Sequence, residues 1–573
     1  MPASRCARRG ERDLTDPGRG GCLPGAWRMP DGRCAAVTGR ILPFGDRALL
    51  VEVDRLDDVL ALHARLAADV PDGVVDLVPA ARTVLVHVDP RRLSLAATRA
   101  WIARAGGGPV PERRVAPLVE LPIVYDGPDL DELADALGIR PAELAERHAA
   151  CEWTVAFTGF APGFGYLVSA DWRYDVPRRA TPRTRVPAGA VGLAAEFSGA
   201  YPRESPGGWQ LIGTTSARLF DADAVTPALL APGARVRFAA LPAPAAASPA
   251  PSPLAAAASA RPPVRVETAA LARGLDAHTR SRDEGRGALV VEPGLLATVQ
   301  DQGRPGHAAE GIATAGAADR AALRTANRLL GNREDAAGVE ITMGGFRARA
   351  ESDLWIAVTG AWGAVLVDGH PMDPYAPQLW PAGSELHLDW FAHGTRAYLA
   401  IRGGVAATGV AGSCSTDTLS GLGPAPLRAG DRLTPAGPDP AAPIPPDDLR
   451  PWGPPDDTAI EIALAPGPRA DWLAAAAGLF EADWTVSNEA DRVGIRLDGP
   501  ALRRIRTDEL PSEGMLPGAI QVPPDGRPVI LGPDGPVTGG YPVIAVVADA
   551  SRDALAQARP GTRLRFRHAR PGA

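Results

Sequence analysis

Val186-Pro-Ala-Gly-Ala-Val191, Pro206-Gly-Gly-Trp-Gln-Leu-Ile-Gly213 and Pro232-Gly-Ala-Arg-Val-Arg-Phe238 stand in that order in the first half of the chain. Leu516-Pro-Gly-Ala-Ile520, Thr538-Gly-Gly-Tyr-Pro-Val-Ile-Ala545 and Pro560-Gly-Thr-Arg-Leu-Arg-Phe566 stand in the same order near its end. Three blocks recurring at similar spacing predict two copies of one structural unit. The glycines mark turns that need positive φ or a close backbone approach. The Arg-Val-Arg-Phe and Arg-Leu-Arg-Phe tails alternate with the period of a half-buried strand. Short apolar runs separated by Gly and Pro turns predict a mainly β chain built on barrels or sandwiches.

Outward from these blocks, 573 residues predict about three or four domains. Residues 1–38 are Arg- and Gly-rich without the apolar core of a signal peptide and read as a disordered tail. Residues 39–110 form a small α/β domain, with strands at Ala48–Val53 and Thr83–Val88 and a helical face of Leu56, Val59, Leu60, His63 and Leu66. Residues 111–240 open with two helices, at 129–137 and 141–150, and continue as the first copy of the repeated unit. Residues 241–287 are a Pro/Ala/Ser-rich linker. Residues 288–450 are a further β domain with one clear helix over 319–330, and residues 451–573 hold the second copy.

The composition excludes several functions. A net charge of −7 argues against a nucleic-acid or membrane-surface binder. No apolar run reaches the roughly 18 residues a bilayer crossing needs. Cys6, Cys22, Cys34, Cys151 and Cys414 show neither metal-ligand spacing nor a paired framework, so the reading is a reduced, cytoplasmic protein. All 60 basic residues are arginine, since the chain contains no lysine. There is then no P-loop lysine, no Schiff-base lysine and no lysine to carry biotin. Any phosphate or carboxylate must be held by arginine, whose planar fork binds such groups bidentately, or by backbone amides.

The residues able to carry chemistry fall in three groups. The first is Phe160-Ala-Pro-Gly-Phe-Gly-Tyr-Leu167 with Arg183, Gly189, Ser205, Gly207, Gly208 and Gln210. Here Pro162, Gly163 and the other glycines either bring backbone amides to a ligand or shape barrel corners. His148, at the end of a helix, is a candidate general base or a partner of the helix dipole. The second is Val299-Gln-Asp-Gln-Gly-Arg-Pro-Gly306 with Asn327. Asp301 and Arg304 either pair with each other or orient a substrate carboxylate or phosphate, and Asp319 reads as a helix N-cap. The hydroxyl-rich turn Gly412-Ser-Cys-Ser-Thr-Asp417 can donate to an anion. The third is Pro511-Ser-Glu-Gly514, Gln521 and Thr538-Gly-Gly-Tyr541, with Glu513 a candidate acid/base or cation ligand. No metalloprotease, nucleophile-elbow or P-loop motif is present, and no metal ligands are assigned.

Taken together these motifs resemble a known family. Residues from about Gly39 to Phe238 resemble the B subunit of 5-oxoprolinase, also called allophanate hydrolase subunit 1 or the sporulation kinase inhibitor KipI. That resemblance rests on Val78-Pro79-Ala80, the 160–167 segment, Val186-Pro-Ala-Gly189 and Ser205-Pro-Gly-Gly-Trp-Gln-Leu-Ile-Gly213. Residues from about Ala288 to Phe566 resemble the C subunit of 5-oxoprolinase, the biotin-dependent carboxyltransferase-like (allophanate hydrolase subunit 2 or KipA) family. It rests on Pro293-Gly-Leu-Leu-Ala-Thr-Val-Gln-Asp301, Gly303-Arg-Pro-Gly306, Ser413, Ser415-Thr416, Arg492-Val-Gly-Ile-Arg-Leu-Asp-Gly-Pro500 and Gly518-Ala-Ile-Gln-Val-Pro-Pro-Asp-Gly526. The family pattern is not matched at Phe197-Ser198-Gly199, at Thr214 or at Asp534-Gly-Pro-Val-Thr538.

The resemblance implies tandem cyclophilin-like β-barrel domains with a small N-terminal α/β domain. It also implies the fused B/C component of an ATP-dependent 5-oxoprolinase. Such a component uses ATP with Mg to activate 5-oxo-L-proline for hydrolysis to L-glutamate, beside a separate 5-oxoprolinase A-type protein. On that reading Asp301, Arg304, Glu513, Asp534 and His148 are catalytic candidates. Pro162, Gly163, Arg183, Gly189, Ser205, Gly207, Gly208, Gln210, Asn327, Ser413, Ser415, Thr416, Gln521, Gly539, Gly540 and Tyr541 are candidates for substrate or ATP contacts. Two alternatives are a urea-amidolyase-type carboxyltransferase taking carboxyl from biotin on another protein, and a regulatory protein of a histidine kinase.

Overall fold

The computed structural model describes residues 39–107, 118–179, 181, 183–222, 224, 227–242, 286–437, 442–445, 453–456, 458–506 and 508–570. The tail expected over 1–38 and nearly all of the expected linker lie outside the described residues.

Four antiparallel strands, Arg40–Pro43, Ala48–Glu52, Thr83–Val88 and Val74–Pro79 in that spatial order, make the N-terminal sheet. Helices Leu56–Ala68 and Leu95–Gly106 cover one face through Leu49, Val51, Val84, Val86, Leu62, Leu66 and Trp101. The other face, with Leu42, Phe44, Leu50, Val78 and Leu85, is equally buried, against Met515, Leu516, Ala519, Val543 and Val546 from the far end of the chain. A sheet covered on both faces has apolar runs rather than alternation. Ala48-Leu-Leu-Val51 and Thr83-Val-Leu-Val86 are such runs.

The two repeated units are two barrels of one topology. In the first, the strands run Gln210–Thr214, Ala190–Ala194, Phe197–Ala200, Gly165–Val168, Trp153–Thr158, Arg235–Ala240 and Leu118–Ile123 around the sheet. Reciprocal bonds between Val124 and Thr214, at 2.9 and 2.8 Å, complete the ring. In the second, a closed barrel, the order is Val543–Val547, Ala519–Gln521, Val529–Leu531, Gly494–Asp498, Trp484–Val486, Arg563–His568 and Ala459–Pro466. Position for position the order is the same. In both, the Arg-x-Arg-Phe strand lies parallel to the opening strand, with Arg235 opposite Leu118 and Arg563 opposite Ala459. Each barrel also buries a tryptophan whose indole N–H donates to the carbonyl five residues earlier, Trp153 to His148 at 3.1 Å and Trp484 to Leu479 at 2.9 Å.

The equivalence extends to a turn that sequence comparison alone missed, Gly127-Pro-Asp129 against Gly467-Pro-Arg469. Asp129 N donates to Leu211 O at 3.0 Å and Arg469 N to Val543 O at 2.9 Å. A Cβ at Gly127 would lie 2.3 Å from Leu211 O, and one at Gly467 would lie 2.5 Å from Ala545 N. Backbone offers no give at those distances, so Gly127→Ala and Gly467→Ala should each destabilise the protein by about 3 kcal/mol or more. Chemical denaturation of the full chain measures this, and a Gly467→Ala variant as stable as wild type would contradict the assignment of the turn.

Between the barrels, residues 286–437 form two sheets of six and five strands packed face to face around Val299, Ile341, Phe346, Ile356, Trp380 and Leu399. Helix Arg320–Leu329 lies on the outer face of the five-stranded sheet through Leu323, Ala326 and Leu329. Asp319 caps it as expected, accepting from Ala322 N at 2.9 Å.

The domains are stitched at several points. Gly45 N donates to Pro466 O at 2.9 Å, and Asp549 N to Asp46 at 2.9 Å. Arg320 bonds Asp549 and Asp553 at 2.9 and 3.1 Å. Asp76 of the N-terminal sheet accepts from Gly306 N at 3.0 Å and Ala308 N at 3.1 Å. Burial outweighs those bonds and pushes Asp76 up to about 6. A carboxyl raised on folding contributes stability below its unfolded value that is lost as pH rises through 6. The contribution is on the order of 3 kcal/mol, and the stability difference between wild type and Asp76→Asn should therefore change between pH 4 and pH 7. A difference independent of pH over that window would refute it.

Candidate functional site

Asp301, Ser413, Ser415 and Thr416 are brought together, but as a closed knot. The Asp301 carboxylate accepts from Gly303 N at 2.7 Å, Ser413 Oγ at 2.6 Å, Cys414 N at 2.6 Å and Ser415 Oγ at 2.6 Å. Thr416 Oγ1 donates to Pro424 O at 2.8 Å. The expectation that these hydroxyls donate to a bound anion is corrected: all three are spent within the protein. The two serine hydroxyls staple the 412–417 turn to the 299–306 turn. Arg304 does not pair with Asp301; its guanidinium donates to Ser415 O and lies buried. Asp534 is held by Arg492, at 2.9 and 2.7 Å, and by Thr418 Oγ1 at 2.7 Å. Arg492 in turn reaches Glu340 at 2.7 Å, so a buried ion network joins the middle domain to the last barrel.

The candidates of the middle-domain helix and of the first barrel also make contacts within the protein. Asn327, expected at an anion, is fully buried and donates to Ala336 O at 2.8 Å at the end of its helix. His148 lies in the barrel core between Tyr125 OH at 2.8 Å and Ser198 Oγ at 2.9 Å. Burial drives its ordinary value down to about 3, so it stays neutral. That burial, with both ring nitrogens engaged, speaks against the reading of His148 as a base; its counterpart in the last barrel is Leu479. The glycines shape corners: a Cβ at Gly163 would meet Phe220, one at Gly189 Thr215 O, and one at Gly207 Tyr201. Gly208 O accepts from Arg179 N at 2.9 Å, Ser205 pairs with Val186 on a short ladder, and Gln210 donates to Pro177 O at 3.1 Å. Pro162 is buried where the loop meets Gly311 of the middle domain. Arg183 is tied to the protein through one nitrogen, buried Asp129 accepting from its Nη2 at 2.6 Å and from Arg179 at 2.8 Å, while its Nη1 has no partner among the described residues.

Glu513 lies elsewhere, in an open cleft of about 190 Å³ between the N-terminal domain and the last barrel. Glu52, Arg82 and Thr83 form one wall; Arg469, Trp472, Arg506 and residues 508–513 form the other. Glu513 sits on a two-residue strand paired with Gly539. Gln521 is buried behind it, 3.5 Å from Tyr541 O, and a Cβ at Gly540 would lie 3.1 Å from Leu510 O. The Tyr541 ring is half-exposed. Arg469 donates to both Glu513 and Glu52, to the former at 3.0 Å through Nε and to the latter at 2.7 Å. Burial raises the Glu513 carboxyl in spite of Arg469. Burial acts the same way on Glu52, but there Arg469 and Arg40 win and hold it low.

In the repeat, Gly207 corresponds to Gly539, so its ladder partner Arg183 corresponds to Glu513. Asp129 corresponds to Arg469. Both barrels thus carry the same ion pair at the same place, with the charges exchanged: Asp129–Arg183 in the first and Arg469–Glu513 in the last. Arg469, Trp472, Glu52 and Arg82 were not singled out by sequence reasoning. The one signal for Arg469 was the recurring Gly-Pro dipeptide before it.

Comparison with known proteins adds three findings. The family model described as carboxyltransferase domain, subdomain C and D, matches residues 39–230, and that for subdomain A and B matches residues 310–568. The chain is 37% identical over 284 residues to the C subunit of 5-oxoprolinase from Escherichia coli (strain K12), covering 48% of this chain and 89% of that protein. It is 41% identical over 183 residues to the B subunit of 5-oxoprolinase from Escherichia coli O157:H7, covering 30% of this chain and 81% of that protein. The crystal structure of TTHA0988 superposes with a TM-score of 0.75 at 34% identity, over 91% of this chain and 99% of that one.

Proposed function

The chain belongs to the family of the 5-oxoprolinase B and C subunits and carries both in one polypeptide, and from that premise we propose that it is the lactam-activating component of an ATP-dependent 5-oxoprolinase. A lactam is a poor electrophile. Transfer of the ATP γ-phosphoryl group to the lactam oxygen forms a P–O bond and releases ADP. Water then adds to the ring carbon and the C–N bond breaks, giving γ-glutamyl phosphate, and a second water hydrolyses that acyl phosphate to L-glutamate and inorganic phosphate. Such a transfer depends on positioning and charge neutralisation rather than on a covalent enzyme intermediate. A separate A-type protein completes the hydrolysis.

One observation supports this reading most: the open cleft at Glu513 is walled by residues of both the B-type and the C-type halves, so it exists only where the two are joined. Its 190 Å³ is below the roughly 300–1,000 Å³ of drug-sized ligand sites. It is large enough for the small acid. Among the described residues no cluster of three or more His, Cys, Asp or Glu is placed to hold a metal.

The test is ADP release by the purified full chain together with an A-type 5-oxoprolinase protein, with and without 5-oxo-L-proline. Stimulation by the lactam is expected; a rate indifferent to it would reject the proposal.

A further inference from the structure

The exchange of charge between the two barrels reaches one residue beyond the ion pair. Arg183 and Glu513 hold the same place on the short ladders, as partners of Gly207 and Gly539. Four residues ahead of them stand Arg179 and Glu509, again of opposite charge. Both segments pass beside the Gly-Gly turn of their barrel. Arg179 N donates to Gly208 O at 2.9 Å, and Leu510 O lies 3.1 Å from where a Cβ on Gly540 would stand. In the first barrel the group closes on itself, with Arg179 and Arg183 both on Asp129, at 2.8 and 2.6 Å. In the last barrel only Glu513 keeps the corresponding contact, with Arg469. The place that Arg179 takes in the first barrel is filled by Glu52 of the N-terminal domain, 2.7 Å from Arg469. Glu509 turns away and pairs with Arg178 of the first barrel at 3.1 Å.

The two arrangements are close in energy for a physical reason. The Arg178 and Glu509 side chains are 50% and 71% exposed, and an ion pair that open to water contributes little. Arg469 and Glu509 line one open cleft, so Glu509 can change partner by turning its own side chain. Arg469 is buried, and one guanidinium does not compensate three carboxylates at a buried point. Glu509 and Glu52 therefore exclude each other on Arg469.

We propose that Glu509 is a latch on the docking of the N-terminal domain. With Glu509 on Arg178, Arg469 holds Glu52 and the domain is docked. With Glu509 on Arg469, as Arg179 is on Asp129, Glu52 is displaced and the docking loosens. The cleft is walled by both domains, so the same exchange widens it. The latch does not depend on what the cleft binds or on the activity proposed above.

Hydrogen exchange of the full chain tests this in Arg178→Ala, Glu509→Gln and the double variant, read at the Thr83–Val88 strand of the N-terminal domain. Both side chains are exposed, and melting curves check that each variant is folded. Arg178→Ala releases Glu509 toward Arg469 and should speed exchange about two- to fivefold, the scale of an exposed ion pair. Glu509→Gln removes the competitor of Glu52 and should exchange no faster than wild type. The double variant should match Glu509→Gln. An Arg178–Glu509 pair that merely stabilises the fold would be lost alike in all three variants, so recovery in the double variant separates the latch from a simple ion pair. Less than a twofold change in Arg178→Ala, faster exchange in Glu509→Gln, or no recovery in the double variant overturns the proposal.

Discussion

Replacing Arg492 by methionine is expected to cost about 3–5 kcal/mol of stability at neutral pH. Arg492 is 2% exposed and joins two fully buried carboxylates, Asp534 of its own barrel and Glu340 of the middle domain. Removing the guanidinium leaves both acids in a low-dielectric interior with reduced compensation, a much larger penalty than the pair's net worth when intact. The pH dependence has a definite sign. Burial alone would raise Glu340, but Arg492 and Arg396 more than offset it and hold its carboxyl low. Stability from a depressed carboxyl is present above its unfolded value and lost as pH falls through its folded one. In Arg492→Met the carboxyl rises and protonates sooner, so the deficit against wild type should shrink as pH falls from 7 toward 4. Denaturant titrations at several pH values measure this. A deficit below about 1 kcal/mol at pH 7, or one that grows on acidification, would show that the network is not compensated as described.

The second large effect is expected at Arg469. Arg469→Asp places three carboxylates, with Glu52 and Glu513, around one buried point and should cost about 3–5 kcal/mol, with loss of docking of the N-terminal domain. The exchanged polarity of the two barrels supplies the control. Arg469→Asp with Glu513→Arg restores an ion pair of the first barrel's sense, yet leaves the introduced aspartate facing Glu52. Adding Glu52→Arg removes that repulsion. Protection of the Thr83–Val88 strand from hydrogen exchange should rank wild type first, the triple variant second, the double third and the single last. A double variant as protected as wild type would refute a role for the Glu52–Arg469 contact in docking. The same electrostatics accounts for the choice of partner: on the first barrel Glu52 would meet Asp129, and on the last one it meets Arg469.

Much of the architecture is legible in the sequence. The three recurring blocks are turns and strands, whose Gly-Pro signals and period-two alternation are local properties, and they occupy equivalent places in two barrels. Asp319 is readable as an N-cap because capping involves only the next three residues. The site is less legible for the opposite reason. Ser413, Ser415 and Asp301 are correctly seen as polar groups with chemical potential. That the hydroxyls turn inward to Asp301 depends on two turns more than a hundred residues apart meeting face to face. Arg183 looks like an anion contact because nothing nearby in sequence balances it; Asp129 does so from 54 residues away.

The sequence alone determined the repeat, the mainly β character, the absence of ammonium chemistry and the family motifs, because each is written in residue type and short-range spacing. Only the tertiary structure decided that the N-terminal sheet crosses to the last barrel, that the two barrels carry one ion pair in opposite polarity, and that Thr83 and Trp472 share a cleft. Those are contacts across hundreds of residues, set by which apolar faces and which charges fit together once the domains are packed. The Gly-Pro turns with which the two barrels begin look alike as sequence; the opposite charges of Asp129 and Arg469 that follow them acquire their meaning only where Glu52 arrives.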